Sequence, residues 1–199
     1  MATSPLTFQL LLLLFVANIY APLVSALSGS ARPAPPGAEN LWHREHALIL
    51  DRSLRKLTGM ALLQRPDASP AECSSLASND RLCVVSHGIE DDPIFNYGTQ
   101  AALDLFGYNW DNFVRLPSST SAEPAERDER ARLLETVARD TCMKNYSGVR
   151  INSEGKRFRI RDCVVWQLLR DSDDDADDDS PVICGQAAMF MRSDIDWLD

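Results

Sequence analysis

Asp92-Pro93-Ile94-Phe95-Asn96-Tyr97-Gly98-Thr99-Gln100-Ala101-Ala102-Leu103-Asp104-Leu105-Phe106-Gly107-Tyr108 is the stretch whose reading decides the fold. Pro93 breaks what precedes it, and Ile94 to Asn96 reads as a very short strand. Gly98 and Thr99 open a small helix in which Ala102, Leu103 and Phe106 recur at helical spacing. Gly107 can take the left-handed conformation that stops it.

Downstream, Asn109 caps a one-turn helix carrying Trp110 and Phe113, which Pro117 closes, and an irregular link runs from Leu116 to Pro124. Pro124 suits the first position of a helix reaching about Thr141, with Arg130, Leu133, Leu134 and Val137 on one stripe. Tyr146–Asn152 and Lys156–Leu169 form a hairpin across Ser153-Glu154-Gly155, where glycine supplies a positive φ. Strict alternation along the second strand puts Phe158, Ile160, Val164, Trp166 and Leu168 on one face. Arg157, Arg159, Arg161, Cys163, Val165 and Leu169 fall on the other. A strand apolar on both faces at one end is covered on both sides. Pro181 to Met191 returns as a last strand, and 193–199 is a tail.

Upstream, Leu82–Ser86 is a strand, and 64–81 is a polar loop. Trp42, His46, Ile49, Leu50, Leu54 and Leu57 share a helical stripe over 41–58, with Asn40 as N-cap and Gly59 as stop. That stripe needs a cover, either the domain itself or a second copy of the helix. Residues 1–31 carry no charge, and Leu10–Val16 is an apolar run too short for a confident span. Val24-Ser25-Ala26 looks like a cleavage site, and a Pro-rich, acid-poor segment follows. Such a segment resembles a bipartite plastid presequence; secretion, a membrane anchor or a simple tail are the alternatives. No membrane span is expected after processing. The parts are therefore 1–38 presequence and linker, 39–63 amphipathic helix, 64–81 loop, 82–192 sheet domain with an acidic hairpin loop at 171–180, and 193–199 tail.

The chain of 199 residues has a net charge of -9, and seven aspartates crowd Asp171–Asp179. The remainder holds 22 acidic against 20 basic side chains, which offers no basic face for nucleic acid. The five cysteines are too far apart in sequence to make a metal-ligand pair and read as small buried apolar groups in a reducing compartment. The result is an α+β domain. A five-stranded antiparallel sheet carries helices on one face, with a space beneath them, and the N-terminal helix on the other.

This order resembles the PAS fold, with Ile94–Tyr97 as its second strand and Ala101–Tyr108 as its first helix. Val84-Val-Ser-His-Gly88, Asp91–Gly98, Leu116-Pro-Ser118, Ser121-Ala-Glu-Pro124, Glu129–Leu134, Tyr146–Arg150, Gly155–Ile160, Val165-Trp166 and Gly185-Gln-Ala-Ala188 narrow it. Together they are similar to the MEKHLA domain, as a stand-alone member. The domain is best known at the end of plant homeodomain–leucine zipper regulators. This chain shows neither a homeodomain nor a zipper, so that role does not carry over. Thr99 stands where the family usually has asparagine, which puts a backbone-locking or ligand role there in doubt.

The resemblance implies a non-catalytic sensory or interaction domain that holds a small ligand between helices and sheet, or binds a partner protein. Phe95 and Trp166 are the expected apolar walls. Asn96, Gln186 and Arg150 are the expected polar contacts. The cofactor is unknown. A flavin photosensor would need an Asn-Cys-Arg-Phe-like stretch, and a haem type a histidine within 124–141; neither is present, which disfavours both groups. No catalytic residue and no metal ligand set stands out. Two alternatives remain: a small enzyme using His87 with Glu90, Asp91 and Asp92, and a homodimer built on the 41–58 helix.

Overall fold

The computed structural model describes residues 32–123, 127–171 and 181–198. Most of the presequence, the start of the helix at Pro124 and the acidic loop over 172–180 lie outside the described residues. All that follows belongs to the unit Ala34–Asp199.

The fold begins a few residues before the expected boundary. A 310 turn, Ala38–His43, precedes helix α1, Arg44–Thr58. Leu41, Trp42 and His43 take φ of 51, 59 and 54°, so the left-handed backbone turns the chain there and Asn40 does not cap α1. The Asn40 side chain closes the turn instead, accepting from Gly37 N at 3.0 Å and donating to Pro35 O at 2.8 Å. Gly59 ends α1 at φ 76°, as expected.

The stretch expected as a loop contains a second helix, α2, Pro70–Ala77. Its start is a capping box. Ser69 Oγ accepts from Glu72 N, and Glu72 Oε2 accepts from Ser69 N at 2.9 Å. With the Arg65 guanidinium also at 3.0 Å, these bonds hold the Glu72 carboxyl down to about 2.

Strand β1, Leu82–His87, and β2, Phe95–Gly98, flank the acidic turn. Helices α3, Gln100–Phe106, and α4, Trp110–Phe113, come next, then a 310 turn over Ser118–Ser121 and helix α5, Arg127–Asp140. Strands β3, Cys142–Ile151, β4, Arg157–Arg170, and β5, Val182–Met191, complete the meander. The tail is a further strand, β6, Ile195–Leu198, rather than an extension. It pairs with the first half of β4 while β5 pairs with the second half, and a 310 turn at Arg192–Asp194 separates them. The sheet order is β2-β1-β5-β4-β3, antiparallel throughout, with six strands instead of five.

Thr99 replaces the expected asparagine without loss of the lock. Its buried hydroxyl accepts from Val84 N at 3.1 Å and donates to Leu82 O at 2.7 Å, tying the start of α3 to β1. Gly107 stops α3 at φ 73°.

Alternation along β4 is broken once. Asp162 sits at φ 52°, and the register slips there: Ile160 faces Gly148, but Cys163 faces Tyr146. The extra residue is a β-bulge, and every side chain beyond it changes face. Phe158 and Ile160 therefore share a face with Cys163, Val165 and Gln167. Trp166, with Val164 and Leu168, lies on the opposite one. That corrects the grouping expected from strict alternation.

The two faces have different covers. On the outer face α1 lies across β4, with Ser53 Oγ accepting from Leu169 N at 2.9 Å and its buried Ala47, Leu50 and Leu54 in the common core. These stripe residues are thus covered within one protomer. The inner face is covered by α3, α4 and α5, where Phe95 stacks on Phe113 at 4.5 Å and Phe106 meets Phe158 at 5.3 Å. No helix among the described residues is long and apolar enough to cross a membrane.

Candidate functional site: a cationic cavity between helix and sheet

Between α5 and the inner face lies a cavity of about 60 Å³. Its apolar wall comes from Val85, Phe95, Phe106, Leu133, Ile160 and Cys163. Its polar groups are His87, Ser121, Arg130, Tyr146, Arg150 and Gln186. A broader groove of about 920 Å³ runs along α1 past Arg44, Arg52 and Arg170, but it ends at Asp171 and Pro181, on either side of the undescribed stretch. Buried polar groups of mixed character converge in the inner cavity, where recognition can be specific.

Alternation on β3 brings Tyr146, Gly148 and Arg150 to the inner face. Gly148 is required there. A Cβ there would run into the Tyr146 phenol, so the glycine lets the phenol fold back over the strand without displacement. From that position Tyr146 Oη accepts from Arg150 Nη2 at 3.1 Å, and Arg150 Nη1 donates to Val149 O at 2.7 Å. The Arg150 guanidinium also sits 5.7 Å from the Tyr146 ring centre. Burial pushes the Tyr146 hydroxyl upward, so it stays protonated.

Arg130 reaches in from α5. Its Nη2 donates to Ser118 Oγ, which in turn donates to Pro93 O at 2.8 Å. Arg130 and Arg150 are both 8% exposed. Among the described residues no carboxylate lies within ion-pair distance of either, whereas Arg157 on the same strand as Ile160 pairs with Glu123 at 3.0 Å. Burial and then the Arg150 charge lower the Arg130 guanidinium to about 10. Asp92 acts on Arg130 only from beyond ion-pair distance, and Glu129 Oε1 reaches Arg150 only through Tyr146 Oη, which donates to it at 3.4 Å. A desolvated pair of cations with so little direct neutralisation is unfavourable unless something supplies a counter-charge.

His87 closes β1 and lines the cavity. A carbonyl can only accept, so the 2.8 Å contact between Nδ1 and Gly88 O puts the proton on Nδ1 and leaves Nε2 as an acceptor in the neutral ring. Burial lowers the His87 pKa, which favours that neutral form. Glu90, Asp91 and Asp92 are exposed on the following loop. Asp92 accepts from Ser119 at 2.8 Å, and no hydrogen bond joins the three carboxylates to His87 among the described residues. Glu90 acts on His87 only electrostatically, without a hydrogen bond.

Gln186 on β5 also faces inward. Its Nε2 donates to Leu134 O at 3.3 Å, while Oε1 is buried without a partner. Gln167, passed over in the sequence, makes the companion tether: Nε2 donates to Ala138 O at 2.9 Å. The two glutamines fasten α5 across the sheet.

Of the five residues expected to contact a ligand, Phe95, Arg150 and Gln186 line the cavity. Trp166 and Asn96 do not. Trp166 is fully buried on the outer face, and Asn96 Oδ1 accepts from Ser86 Oγ at 2.6 Å on that same side. Ser86 Oγ lies 2.8 Å from His46 Nε2, so the stripe histidine has a buried partner. Arg130 and Tyr146 belong to the site as well; the phenol was not foreseen because nothing in the local sequence marks it.

Cys163 is the cavity's only thiol among the described residues, and burial pushes it up to about 12, so it is not a nucleophile. The cavity also falls well below the roughly 300 Å³ at which pockets for drug-sized ligands begin. A flavin or a haem does not fit it as it stands. No group of three or more His, Cys, Asp or Glu able to hold a metal occurs among the described residues.

The sheet order, with the short helices α3 and α4 and the longer α5 over its inner face and a small cavity between them, defines a PAS-like α+β domain. The MEKHLA domain model matches residues 44–195, and the chain belongs to that family. Similar solved structures include a PAS domain of a protein from Colwellia psychrerythraea, at 9% identity and TM-score 0.44, covering 55% of this chain and 85% of that one. A light-oxygen-voltage domain studied with a flavin analogue is 12% identical at TM-score 0.45, covering 63% and 82%. The dark structure of the light-oxygen-voltage domain of the blue-light photoreceptor Aureochrome1 is 14% identical at TM-score 0.43, covering 69% and 88%. No curated protein matches the chain.

Proposed function

We propose that this is a non-catalytic sensory or interaction domain that binds a small ligand in the cavity beneath α5. The observation that supports it most is the pair of buried guanidiniums, Arg130 and Arg150, facing a space that no carboxylate among the described residues neutralises. Ligand entry changes what α5 rests on, since Gln186 and Arg130 join the cavity to that helix. A shift of α5 is the natural output to a partner protein. The test is thermal unfolding of the purified chain against a metabolite panel, beside affinity capture from extract. Ligand binding raises stability with the logarithm of concentration over Kd. A saturable rise supports the reading; no rise and no captured partner overturn it. We further propose that the uncharged leader directs the chain to a plastid, which a fluorescent fusion to residues 1–38 tests directly.

A further inference from the structure

We infer that the ligand is a short hydroxycarboxylate, its carboxylate held by Arg130 and Arg150 and its hydroxyl donating to Gln186 Oε1 or His87 Nε2. This deepens the ligand-binding reading above and rests on it.

Size sets the first limit. A site needs on the order of 10–15 Å³ of water-sized probe space per water. By that measure about 60 Å³ holds roughly four to six heavy atoms, the size of acetate, glycolate or lactate. Nucleotides, haem and flavins are far larger.

Charge sets the second. Both guanidiniums are buried, and each uses part of its donor set on a protein oxygen: Arg130 on Ser118, Arg150 on Val149 and Tyr146. Their other nitrogens remain for a planar anion, and guanidinium geometry matches a carboxylate. Burial first and the neighbouring Arg150 charge second lower the Arg130 pKa, and Asp92 offsets this only in part.

The acceptors set the third. Gln186 Oε1 is buried without a partner, and the bond from Nε2 to Leu134 O fixes which way the amide points. His87 Nε2 is the second acceptor, since Nδ1 holds the proton. A plain fatty acid leaves both unsatisfied. A hydroxyl next to the carboxylate supplies the missing donor, and an unmet buried acceptor is unfavourable enough to discriminate between the two. The apolar wall of Phe95, Phe106, Leu133 and Ile160 accommodates one short carbon stub and no second charge.

The test is isothermal titration and thermal shift on the full chain at fixed ionic strength. The probes are sodium glycolate, L-lactate, acetate, inorganic phosphate and chloride, with propane-1,2-diol as a neutral control. Expected is saturable binding of glycolate or lactate at least tenfold tighter than acetate, with no response to chloride beyond ionic strength. Arg130→Gln should lose the response, and Gln186→Leu should bring glycolate down to the acetate level. If Arg130→Gln does not fold, Arg130→Lys, which keeps charge but not the planar fork, is expected to bind at least tenfold more weakly. Equal responses to chloride and glycolate, or a wild-type response in both Arg130 variants, overturn the inference. Binding of a neutral metabolite or of phosphate alone also overturns it but leaves the ligand-binding reading standing. Silence from every probe, together with silence from a broad metabolite panel and no captured partner, overturns both.

Discussion

Val164, Trp166 and Leu168 on the outer face and Cys163, Val165 and Gln167 on the inner face are sequence neighbours on one strand, yet they meet opposite environments. The outer group is pressed against α1, with Trp166 fully buried and the hydrogen bonding limited to Ser53 on Leu169 and a short chain from His46 through Ser86 to Asn96 among the described residues. The inner group borders a cavity where two cations, a phenol, an imidazole and an amide are gathered. The outer face is buried against α1, so changing it should move stability and leave recognition alone. The inner face keeps charge buried and space unfilled, which opposes stability and is what the proposed ligand would offset.

The largest effect expected is therefore on the outer side. Trp166→Ala should cost about 3–5 kcal/mol in urea unfolding. The surviving folded fraction should still respond to ligand as the wild type does. A lost response without lost stability would return Trp166 to the cavity wall.

Next comes the strand-to-helix lock. Thr99→Val keeps shape but orphans Val84 N–H and Leu82 C=O, and should cost about 1–3 kcal/mol by denaturant titration. Thr99→Asn, the family's usual residue, should restore part of it.

His46 gives the comparison a pH dependence. Burial, then the His43 and Arg170 charges, lowers its pKa from 6.5 to about 4. The unfolded chain thus binds the proton between those values while the folded one does not, so stability falls as pH drops from about 6.5 toward 4. The slope contributed by this group approaches about 1.4 kcal/mol per pH unit. His87, also lowered, adds to it in the same direction. His46→Gln should flatten the slope measured between pH 7 and pH 5, and an unchanged slope would place the titrating group elsewhere.

The smallest effect separates the faces most sharply. Arg130→Met removes one unneutralised buried charge and should leave stability within about 1 kcal/mol of wild type, or raise it, in buffer without carboxylates. A loss as large as that of Trp166→Ala would mean the guanidinium is structural.

The sequence carried the fold well where punctuation is explicit. Pro93, Gly107, Asn109 and the Ser153-Glu154-Gly155 turn each mark an element end through a backbone constraint that no packing overrides. The losses have equally local causes. One left-handed aspartate, Asp162, inverts the faces of everything after it on β4, and nothing around Arg161-Asp162-Cys163 announces a bulge. Trp166 was misplaced for that reason alone. The helix at Pro70–Ala77 had a readable signal, Ser69-Pro70-Ala71-Glu72, which the surrounding polar composition obscured. β6 was too short to show its period. In the site, Phe95, Arg150 and Gln186 were legible because an aromatic, a cation and an amide on inward strand positions need partners. Arg130 was legible only as a member of the α5 stripe, since its place in the site depends on which face of α5 meets the sheet. Tyr146 depends on the absence of a side chain at Gly148.

The most direct measurement is heteronuclear NMR of the arginine Nε–Hε, histidine and tryptophan indole resonances during titration with glycolate. The account predicts saturable shifts at Arg130, Arg150 and His87, with the Trp166 indole and His46 unmoved. Shifts at Trp166 and His46 with the two arginines silent would place recognition on the outer face and contradict it.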